Sequence, residues 1–172
     1  YLHADVVVVG AGPAGLEAAL VAAGLGAKVV VFEREPATGG HLRYRFGGVA
    51  AFAAVEEARS RVQEVEGIEV LANTSVVGWY TGNWLAAVGA SNGAERLYKI
   101  RAGAVVVATG TYDLPAVFSD NDLPGVMLGS AVRRLIALYG VIPGERAVVV
   151  AANDDGWSLA TQLLAVGVEV VA

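Results

Sequence analysis

Six residues near the start of the chain limit its folding more than any others. Gly10-Ala11-Gly12-Pro13-Ala14-Gly15 separates a β-branched run, Asp5–Val9, from an almost wholly apolar run, Ala14–Leu25. The first run is typical of a parallel strand covered on both faces, and the second predicts a helix lying against a sheet. Lys28–Phe32 predicts another buried strand, so these segments form a right-handed βαβ unit.

Each glycine of this motif has its own reason to lack a side chain. Gly10 allows the tight turn out of the strand, Gly12 lets the backbone approach a pyrophosphate, and Gly15 lets helix and strand pack closely. Pro13 and Ala14 open the helix, where a missing N–H costs nothing and unpaired amides meet the anion. In this strand-to-helix setting, the motif predicts a dinucleotide site.

An acidic residue closes the second predicted strand. Glu33 follows Gly10 at nearly the spacing, about 20 residues, at which a carboxylate accepts hydrogen bonds from the adenosine ribose. A carboxylate there repels a 2′-phosphate and disfavours NADP, although the neighbouring Arg34 weakens that exclusion. We therefore predict one bound NAD or FAD, and the residues leave both open.

Two later segments are predicted to reach the same site. Gly39-Gly40 brings bare backbone to the other side of the pyrophosphate, or else forms an ordinary loop. Ala104–Ala108 predicts a buried strand that returns to the parallel sheet, and Thr109-Gly110 follows it. These two residues either lie at the carboxyl edge of the sheet, where ligands of open α/β folds bind, or are only the exit from the strand. The predicted contact residues are Gly10, Gly12, Pro13, Ala14, Gly15, Glu33, Arg34, Gly39, Gly40, Thr109 and Gly110.

The remaining patterns complete an α/β fold with a doubly wound, Rossmann-like parallel sheet. They predict a helix over Val49–Val65 and a third strand over Ile68–Ala72. Three β-leaning runs between about residues 75 and 101 predict an inserted antiparallel meander, packed by Trp79, Tyr80 and Trp84.

A second βαβ start begins 141 positions after the first, with a strand at Val148–Val150. Ala151, Asn153 and Gly156 stand where the three glycines stood, and Asp154 and Asp155 lie at the predicted helix start. These carboxylates repel a pyrophosphate and are expected to cap the helix, so we hypothesise a half that keeps the fold without binding a dinucleotide.

These boundaries predict three regions. Residues 1–112 form a dinucleotide-binding domain, 113–146 a crossover connection with a helix over Ser130–Tyr139, and 147–172 the start of an incomplete second domain. Because the first residue is not Met and the second domain lacks strands, we expect a longer parent protein. The unpartnered strands near Val148 and Val170 predict self-association or low solubility.

Composition narrows the remaining functions. A net charge of −5 without clustered Lys or Arg predicts no binding to nucleic acid, and no apolar run is long and unbroken enough to span a membrane. The absence of cysteine leaves no disulfide, thiolate metal site or redox CxxC pair, and a cytoplasmic location is the default. No metal site or catalytic group is predicted; His41 is the better placed of two histidines, and Arg133-Arg134 is expected to be a solvated helix face.

Together these residues resemble the two-dinucleotide-domain flavoproteins of the glutathione-reductase type. Asn121–Leu128, Tyr139–Val141, Pro143-Gly144 and Asn153–Asp155 more narrowly resemble the α subunit of heterotetrameric sarcosine oxidase. That resemblance implies a domain that holds NAD, with sarcosine oxidised at a flavin in another subunit, whereas related amino-acid, opine and cyanide-forming dehydrogenases hold FAD there. The eight positions that match cofactor contacts are Gly10, Gly12, Gly15, Glu33, Gly39, Gly40, Thr109 and Gly110.

The resemblance implies the cofactor-binding portion of a flavin-dependent enzyme complex that oxidises a secondary amine or N-methyl amino acid. Other oxidoreductase subunits are the expected partners, and the chain alone is expected to be inactive. One alternative is a subunit of an FAD-dependent amino-acid or opine dehydrogenase. Another is a non-catalytic module in which the dinucleotide only stiffens a surface on which other subunits dock.

Overall fold

A computed structural model describes residues 1–45, 49–91 and 94–171 of the chain. The chain divides into two compact units. The first comprises Tyr1–Gly40 and Ala51–Gly110, and the second comprises His41–Ala50 and Thr111–Ala172. Among the described residues, no helix combines the length and the apolar character needed to cross a membrane.

The first unit is built on a six-stranded sheet in the order β3-β2-β1-β6-β5-β4. The β3-β2-β1-β6 part is parallel, and β6, β5 and β4 pair antiparallel. The mostly parallel α/β fold predicted from the sequence is thereby confirmed. The elements are β1 Leu2–Val9, α1 Pro13–Gly24, β2 Val29–Phe32, a 3-10 turn Gly40–Arg43, α2 Val49–Glu64, β3 Ile68–Leu71, β4 Thr74–Tyr80, β5 Trp84–Ser91 and β6 Ala94–Val107.

Two apolar clusters lie on opposite faces of this sheet. On one face, α1 packs Leu16, Ala19 and Leu20 against β1 and β2, together with Val62 of α2. On the other face, Phe32 and Val7 pack with residues of the meander, including Ile100. Every residue of β2 is buried, as its unbroken apolar sequence predicts for a strand covered on both sides.

The meander differs from its prediction in how it joins the parallel sheet. The last of the three predicted meander runs and the predicted strand Ala104–Ala108 were expected to be separate, but β6 is one continuous strand of 14 residues. The strand runs through Gly103, and β1 pairs with it in the same register on either side, Ala4 with Ala102 and Val6 with Ala104. The backbone of Gly103 passes so close to the Asp5 carbonyl that a Cβ would lie 2.8 Å from that oxygen. The second turn of the meander, at residues 92–93, lies outside the described residues.

Several side chains of the first unit are less buried than predicted. Val106 and Val107, near the end of β6, are exposed rather than covered on both faces. Trp79 and Tyr80 are also exposed, because they lie on β4 at the edge of the sheet. Trp79 instead donates a hydrogen bond from Nε1 to Asn83 Oδ1 at 3.2 Å.

In its described residues from 111 onward, the second unit pairs two short parallel strands with two helices. Leu159 and Leu163 of one helix pack with Val168 and with Val132 and Ile136 of the other. A strand was predicted at Val148–Val150, but the observed strand covers only Arg146–Ala147. Only these two residues pair with the neighbouring strand. The elements are α3 Gly129–Tyr139, β7 Arg146–Ala147, α4 Asp155–Ala165 and β8 Glu169–Val170.

Arg133 contradicts the prediction that Arg133-Arg134 forms a solvated helix face. Its side chain is only 4% exposed. The guanidinium donates from Nη2 to the Asp155 carbonyl oxygen at 2.7 Å and lies 3.6 Å from Asp155 Oδ1. A buried cation requires such partners, and periodicity along α3 alone gave no sign of them.

Replacing Phe32 by alanine tests how far the first unit depends on its meander-side cluster. Phe32 is 1% exposed, and its ring meets Tyr98 edge-on at a centroid distance of 6.4 Å. We expect Phe32→Ala to lower the free energy of unfolding by about 3–5 kcal/mol. Urea unfolding would be followed by tryptophan fluorescence in a Trp157→Phe background, which leaves only Trp79 and Trp84 of the first unit.

Leu97→Ala is the matched control, since this apolar side chain on β6 is 59% exposed. A loss at Leu97 equal to that at Phe32 would contradict the assignment of the core.

Candidate functional site

The glycine motif forms a turn in which two side chains would be physically impossible. Gly10 adopts φ 102°, and a Cβ there would overlap the carbonyl oxygen of Ala108. A Cβ at Gly15 would overlap the carbonyl oxygen of Gly10. Gly15 therefore serves close packing of helix against strand, as the sequence predicted. Gly10, predicted to allow the turn, also permits close approach of the residues that follow β6, which the sequence did not predict.

Glu33 holds the turn in place from the end of β2. Its side chain is buried, and Oε2 accepts a hydrogen bond from the Ala11 N–H at 2.8 Å. The other oxygen, Oε1, accepts from the Glu35 N–H at 2.9 Å. A carboxylate has about four acceptor positions, so further bonds to sugar hydroxyls remain possible. The spacing predicted Glu33 as a ribose acceptor, which stays a prediction, and gave no sign that it braces the motif.

The Gly39-Gly40 pair lies directly against the motif. The Gly39 N–H donates to the Ala11 carbonyl oxygen at 2.7 Å. Gly40 has φ 57°, and a Cβ there would lie 3.0 Å from the Gly12 Cα. The pair is therefore a fitted part of the turn rather than an ordinary loop, while its contact with a ligand stays a prediction.

The first turn of α1 is open to an anion. Gly12 is the N-cap residue and has no side chain to bond the first amides, and Pro13 occupies the first turn. Ala14 is exposed, whereas Gly15 beneath it is buried. Unbonded amides and the positive end of a helix dipole make this a favourable position for a phosphate group.

The remaining predicted contacts, Thr109, Gly110 and Arg34, are exposed residues near the motif. Ala108 N–H donates to the Val9 carbonyl oxygen at 2.8 Å, so Thr109 and Gly110 leave the sheet next to Gly10. Both are exposed, and Gly110 has φ 72°. Arg34 projects outward, with its side chain 75% exposed and Nε 3.6 Å from Glu35 Oε1.

The comparison with known proteins agrees with this geometry. The family model of pyridine nucleotide-disulphide oxidoreductases matches residues 4–172. The chain belongs to this family. Because the sequence contains no cysteine, the disulphide chemistry in the family's name has no counterpart in these residues. What the chain shares with the family is the dinucleotide-binding portion of an oxidoreductase, of the FAD/NAD type.

Individual relatives narrow the resemblance. The chain is 38% identical to the alpha subunit of sarcosine oxidase from Rhizobium meliloti (strain 1021), over all of this chain and 19% of that protein. It is 27% identical to an opine oxidase subunit from the same organism, over 95% of this chain and 36% of that protein. A crystal structure of L-proline dehydrogenase from P. horikoshii matches 99% of this chain and 35% of that one, with a TM-score of 0.82 and 25% identity. The chain thus spans about a fifth of the sarcosine oxidase polypeptide.

The second copy of the motif keeps the third glycine, Gly156, and lacks the first two. A Cβ at Gly156 would overlap the Cβ of Ala151, so close packing at the third glycine position persists. The predicted capping differs: Asp154 occupies the N-cap of α4 but makes no side-chain bond to the helix. Asn153 Oδ1 instead accepts from the Asp155 N–H at 3.1 Å, and the Asp155 carboxylate pairs with arginines.

The histidines occupy separate positions. His3 lies on β1 in the first unit, and His41 lies in the second unit near Arg45, Arg133 and Asp155. Burial lowers the pKa of His41; Arg45 and Arg133 lower it as well, and Asp155 raises it. In the described parts of the chain, no group of three His, Asp or Glu side chains is arranged to hold a metal ion.

Glu33→Gln tests the bracing of the motif without any ligand. The glutamine keeps one acceptor oxygen, but its NH₂ group would face a backbone N–H donor. We expect a loss of about 1–3 kcal/mol in the free energy of unfolding of the first unit, measured in urea. Glu69→Gln, on the exposed face of β3, is the control and should stay within about 0.5 kcal/mol of wild type. Equal losses would contradict the bracing role.

His41 makes the second unit sensitive to acid. Because its folded pKa is lowered, the unfolded chain takes up this proton at higher pH than the folded chain does. The contribution to stability is therefore present above the usual pKa of about 6.5 and is lost as pH falls through the lower folded value. We expect His41→Gln to reduce this loss, measured by unfolding at several pH values. An NMR titration placing His41 at or above its usual pKa would contradict the assignment.

Proposed function

We propose that this chain is the cofactor-binding portion of a flavin-dependent oxidoreductase complex, similar to sarcosine oxidase, that oxidises a secondary amine or N-methyl amino acid. The observation that carries the proposal is the braced glycine turn. Glu33 fixes the Ala11 amide, and the adjoining start of α1 has no side-chain cap. A rigid turn beside amides that have no side-chain cap is a favourable site for the pyrophosphate of a dinucleotide.

Each predicted contact has a distinct task in this proposal. The amides of Ala14 and Gly15 face the pyrophosphate, and Gly12 leaves room for it because it carries no side chain. The Glu33 carboxylate accepts the ribose hydroxyls with the lone pairs left after its two backbone bonds. Gly40, Thr109 and Gly110 border the same turn. When bound, the dinucleotide supplies the redox chemistry for which the described side chains offer no catalytic group.

The proposal leaves the choice between NAD and FAD to experiment and disfavours NADP. A 2′-phosphate would place two charges beside the buried Glu33 carboxylate. Arg34 is the one neighbouring cation that the sequence suggested as compensation, and it lies near the Glu35 carboxylate. This ion pair supports the exclusion of NADP.

Substrate and partners rest on the relatives. The 38% identity with the sarcosine oxidase polypeptide supports the oxidation of a secondary amine and association with further oxidoreductase subunits. We propose residues 1–112 as the binding domain and 147–172 as a degenerate second start without a dinucleotide. The chain alone is expected to be inactive, and a cytoplasmic location stays a prediction.

A second candidate is a component of an FAD-dependent dehydrogenase for an amino acid or opine. Its support is the match to the opine oxidase polypeptide, together with the structural match to L-proline dehydrogenase. Mass spectrometry of the ligand released from the purified protein by acid distinguishes the cofactors. FAD favours this candidate, NAD favours the sarcosine-oxidase-like assignment, and release of neither nucleotide argues against both.

Gly12→Asp tests the site directly. A carboxylate at the N-cap would occupy the place proposed for the pyrophosphate and repel it, so we expect FAD or NAD binding to fall below detection in calorimetry. Gly24→Asp is the matched control: it adds the same charge to the last turn of α1, where no heavy atom lies within 4 Å of the new Cβ. Equal affinity of the two variants would contradict the site.

The same variant addresses the non-catalytic alternative. If Gly12→Asp abolishes cofactor binding while turnover of the assembled complex is undiminished, the dinucleotide serves assembly only. If turnover is lost with binding, the dinucleotide takes part in the reaction.

A further inference from the structure

The residue before Gly39-Gly40 is held by a hydrogen bond that the proposed function has not used. Arg59 of α2 donates from Nε to Thr38 Oγ1 at 3.1 Å. Thr38, the two glycines, Arg59 and the glycine motif all belong to the first unit. The bond joins residues 21 positions apart in the sequence, so it is a tertiary restraint on the loop that follows β2.

Arg59 can act as a restraint because its helix is packed into the core of the first unit. Val55 and Val62 of α2 are buried, and Val62 packs in one cluster with Leu16 of α1. Arg59 follows Val55 by four residues and precedes Val62 by three, so it lies on the same side of the helix as these two. Its side chain is 30% exposed. The backbone from which the guanidinium reaches Thr38 is therefore fixed by the core.

The guanidinium of Arg59 bonds two partners at once. Nη1 donates to Glu56 Oε1, three residues earlier on α2, and Nε donates to Thr38. A planar guanidinium holds its donors in a fixed arrangement, so the bond to Glu56 sets the direction in which Nε points. The Glu56 carboxylate also compensates the charge of Arg59, which leaves geometry rather than net charge as the effect of this contact on the loop.

The bond to Thr38 acts on the same peptide unit that contacts the motif. The Gly39 N–H donates to the Ala11 carbonyl oxygen at 2.7 Å. Because the peptide between Thr38 and Gly39 is planar, the Thr38 Cα and the Gly39 N–H move together. Gly39 and Gly40 have φ values of 110° and 57°, and glycine adopts many other conformations as readily. Restraints from elsewhere in the fold keep such a pair in one arrangement, and Arg59 and Ala11 supply two of them.

Gly40 carries this restraint to the place proposed for the pyrophosphate. A Cβ on Gly40 would lie 3.0 Å from the Gly12 Cα and 3.7 Å from Pro13 Cδ. The two backbones are thus in close contact at the first turn of α1. A shift of Gly40 consequently changes the space beside Gly12.

We propose that Arg59 is a positioning residue, which sets the Thr38-Gly39 peptide and so holds Gly39-Gly40 in the geometry that binds the dinucleotide. This inference rests on the proposed function, because it assigns a task to a contact of that same site. Arg59 acts through the Thr38 hydroxyl and not by a bond of its own to the ligand.

Thr38→Val and Arg59→Gln test this role in the full chain, with FAD and NAD as the probes in calorimetry. Valine keeps the shape of threonine but offers Arg59 no acceptor. We expect either variant to raise the Kd of whichever nucleotide the wild type binds by about two- to tenfold, the range for one hydrogen bond. Thr38→Ser keeps the hydroxyl and should recover wild-type affinity. The double variant should bind no more weakly than the single variants, because both remove the same bond.

Amide hydrogen exchange separates positioning from a general loss of stability. Without nucleotide, the Gly39 N–H should exchange faster in Thr38→Val and in Arg59→Gln, because its peptide has lost one restraint. The amides of β1 and β2 should exchange as they do in the wild type. Equally faster exchange of β1 and β2 would show a general structural role only, and the positioning role would be wrong.

Arg61→Gln is the matched control. It removes the same charge two residues further along α2, from an exposed side chain, so affinity and Gly39 exchange should match the wild type. If Arg59→Gln weakens binding while Thr38→Val does not, or if the double variant binds more weakly than either single variant, Arg59 does not act through Thr38 and the positioning role is wrong. If neither variant differs from Arg61→Gln, the positioning role is wrong and the proposed function stands. If the wild type binds neither nucleotide, the proposed function fails first, and the inference fails with it.

Discussion

The site depends on one carboxylate that bonds two backbone amides. Glu33 closes β2, receives the Ala11 N–H on one oxygen and the Glu35 N–H on the other, and is buried. Burying a charge is costly unless hydrogen bonds compensate for lost water, and these two bonds supply the compensation. Because Ala11 lies between Gly10 and Gly12, the same bonds fix the turn between β1 and α1. The acid that is proposed to recognise a ligand is therefore already part of the fold.

The sequence was sufficient for the features that depend on local chemistry. A glycine-rich turn between a β-branched run and an almost wholly apolar run predicted β1, α1 and β2 within a few residues, and the spacing to Glu33 predicted its place at the end of β2. Gly39-Gly40 could also be placed near the motif, although only the structure shows the bond from Gly39 N–H to Ala11. These predictions succeeded because glycine turns, β-branched strand segments and the opening of a helix are decided by neighbours along the chain.

The failures share a different physical origin. Arg133 looked solvated because its burial depends on Asp155, 22 residues away in sequence. Val106 and Val107 were predicted to be buried because an unbroken apolar run is typical of a covered strand. The run does not show whether another element packs on that part of the strand, and both side chains are exposed. The division of β6 into two strands followed from the change from a meander-type run to an unalternating apolar run, and such a change of pattern does not show whether the backbone continues as one strand. In the second copy, Gly156 retains its packing role although Ala151 and Asn153 replace the other two glycines. The glycine needed for close packing can therefore be kept when the glycines predicted to serve the turn and the pyrophosphate are lost.

The continuity of β6 has a mechanical consequence. The strand begins at Ala94 in the antiparallel meander and ends at Val107, three residues before Gly110. At about 3.3 Å per residue it forms one bar of roughly 45 Å, hydrogen-bonded along most of its length to β5 or β1. A hinge between meander and parallel sheet would have to break those ladders. The meander is thus joined rigidly to the parallel sheet that ends at the glycine turn. A displacement at the far end of the meander is transmitted along the single backbone of β6 to Thr109 and Gly110.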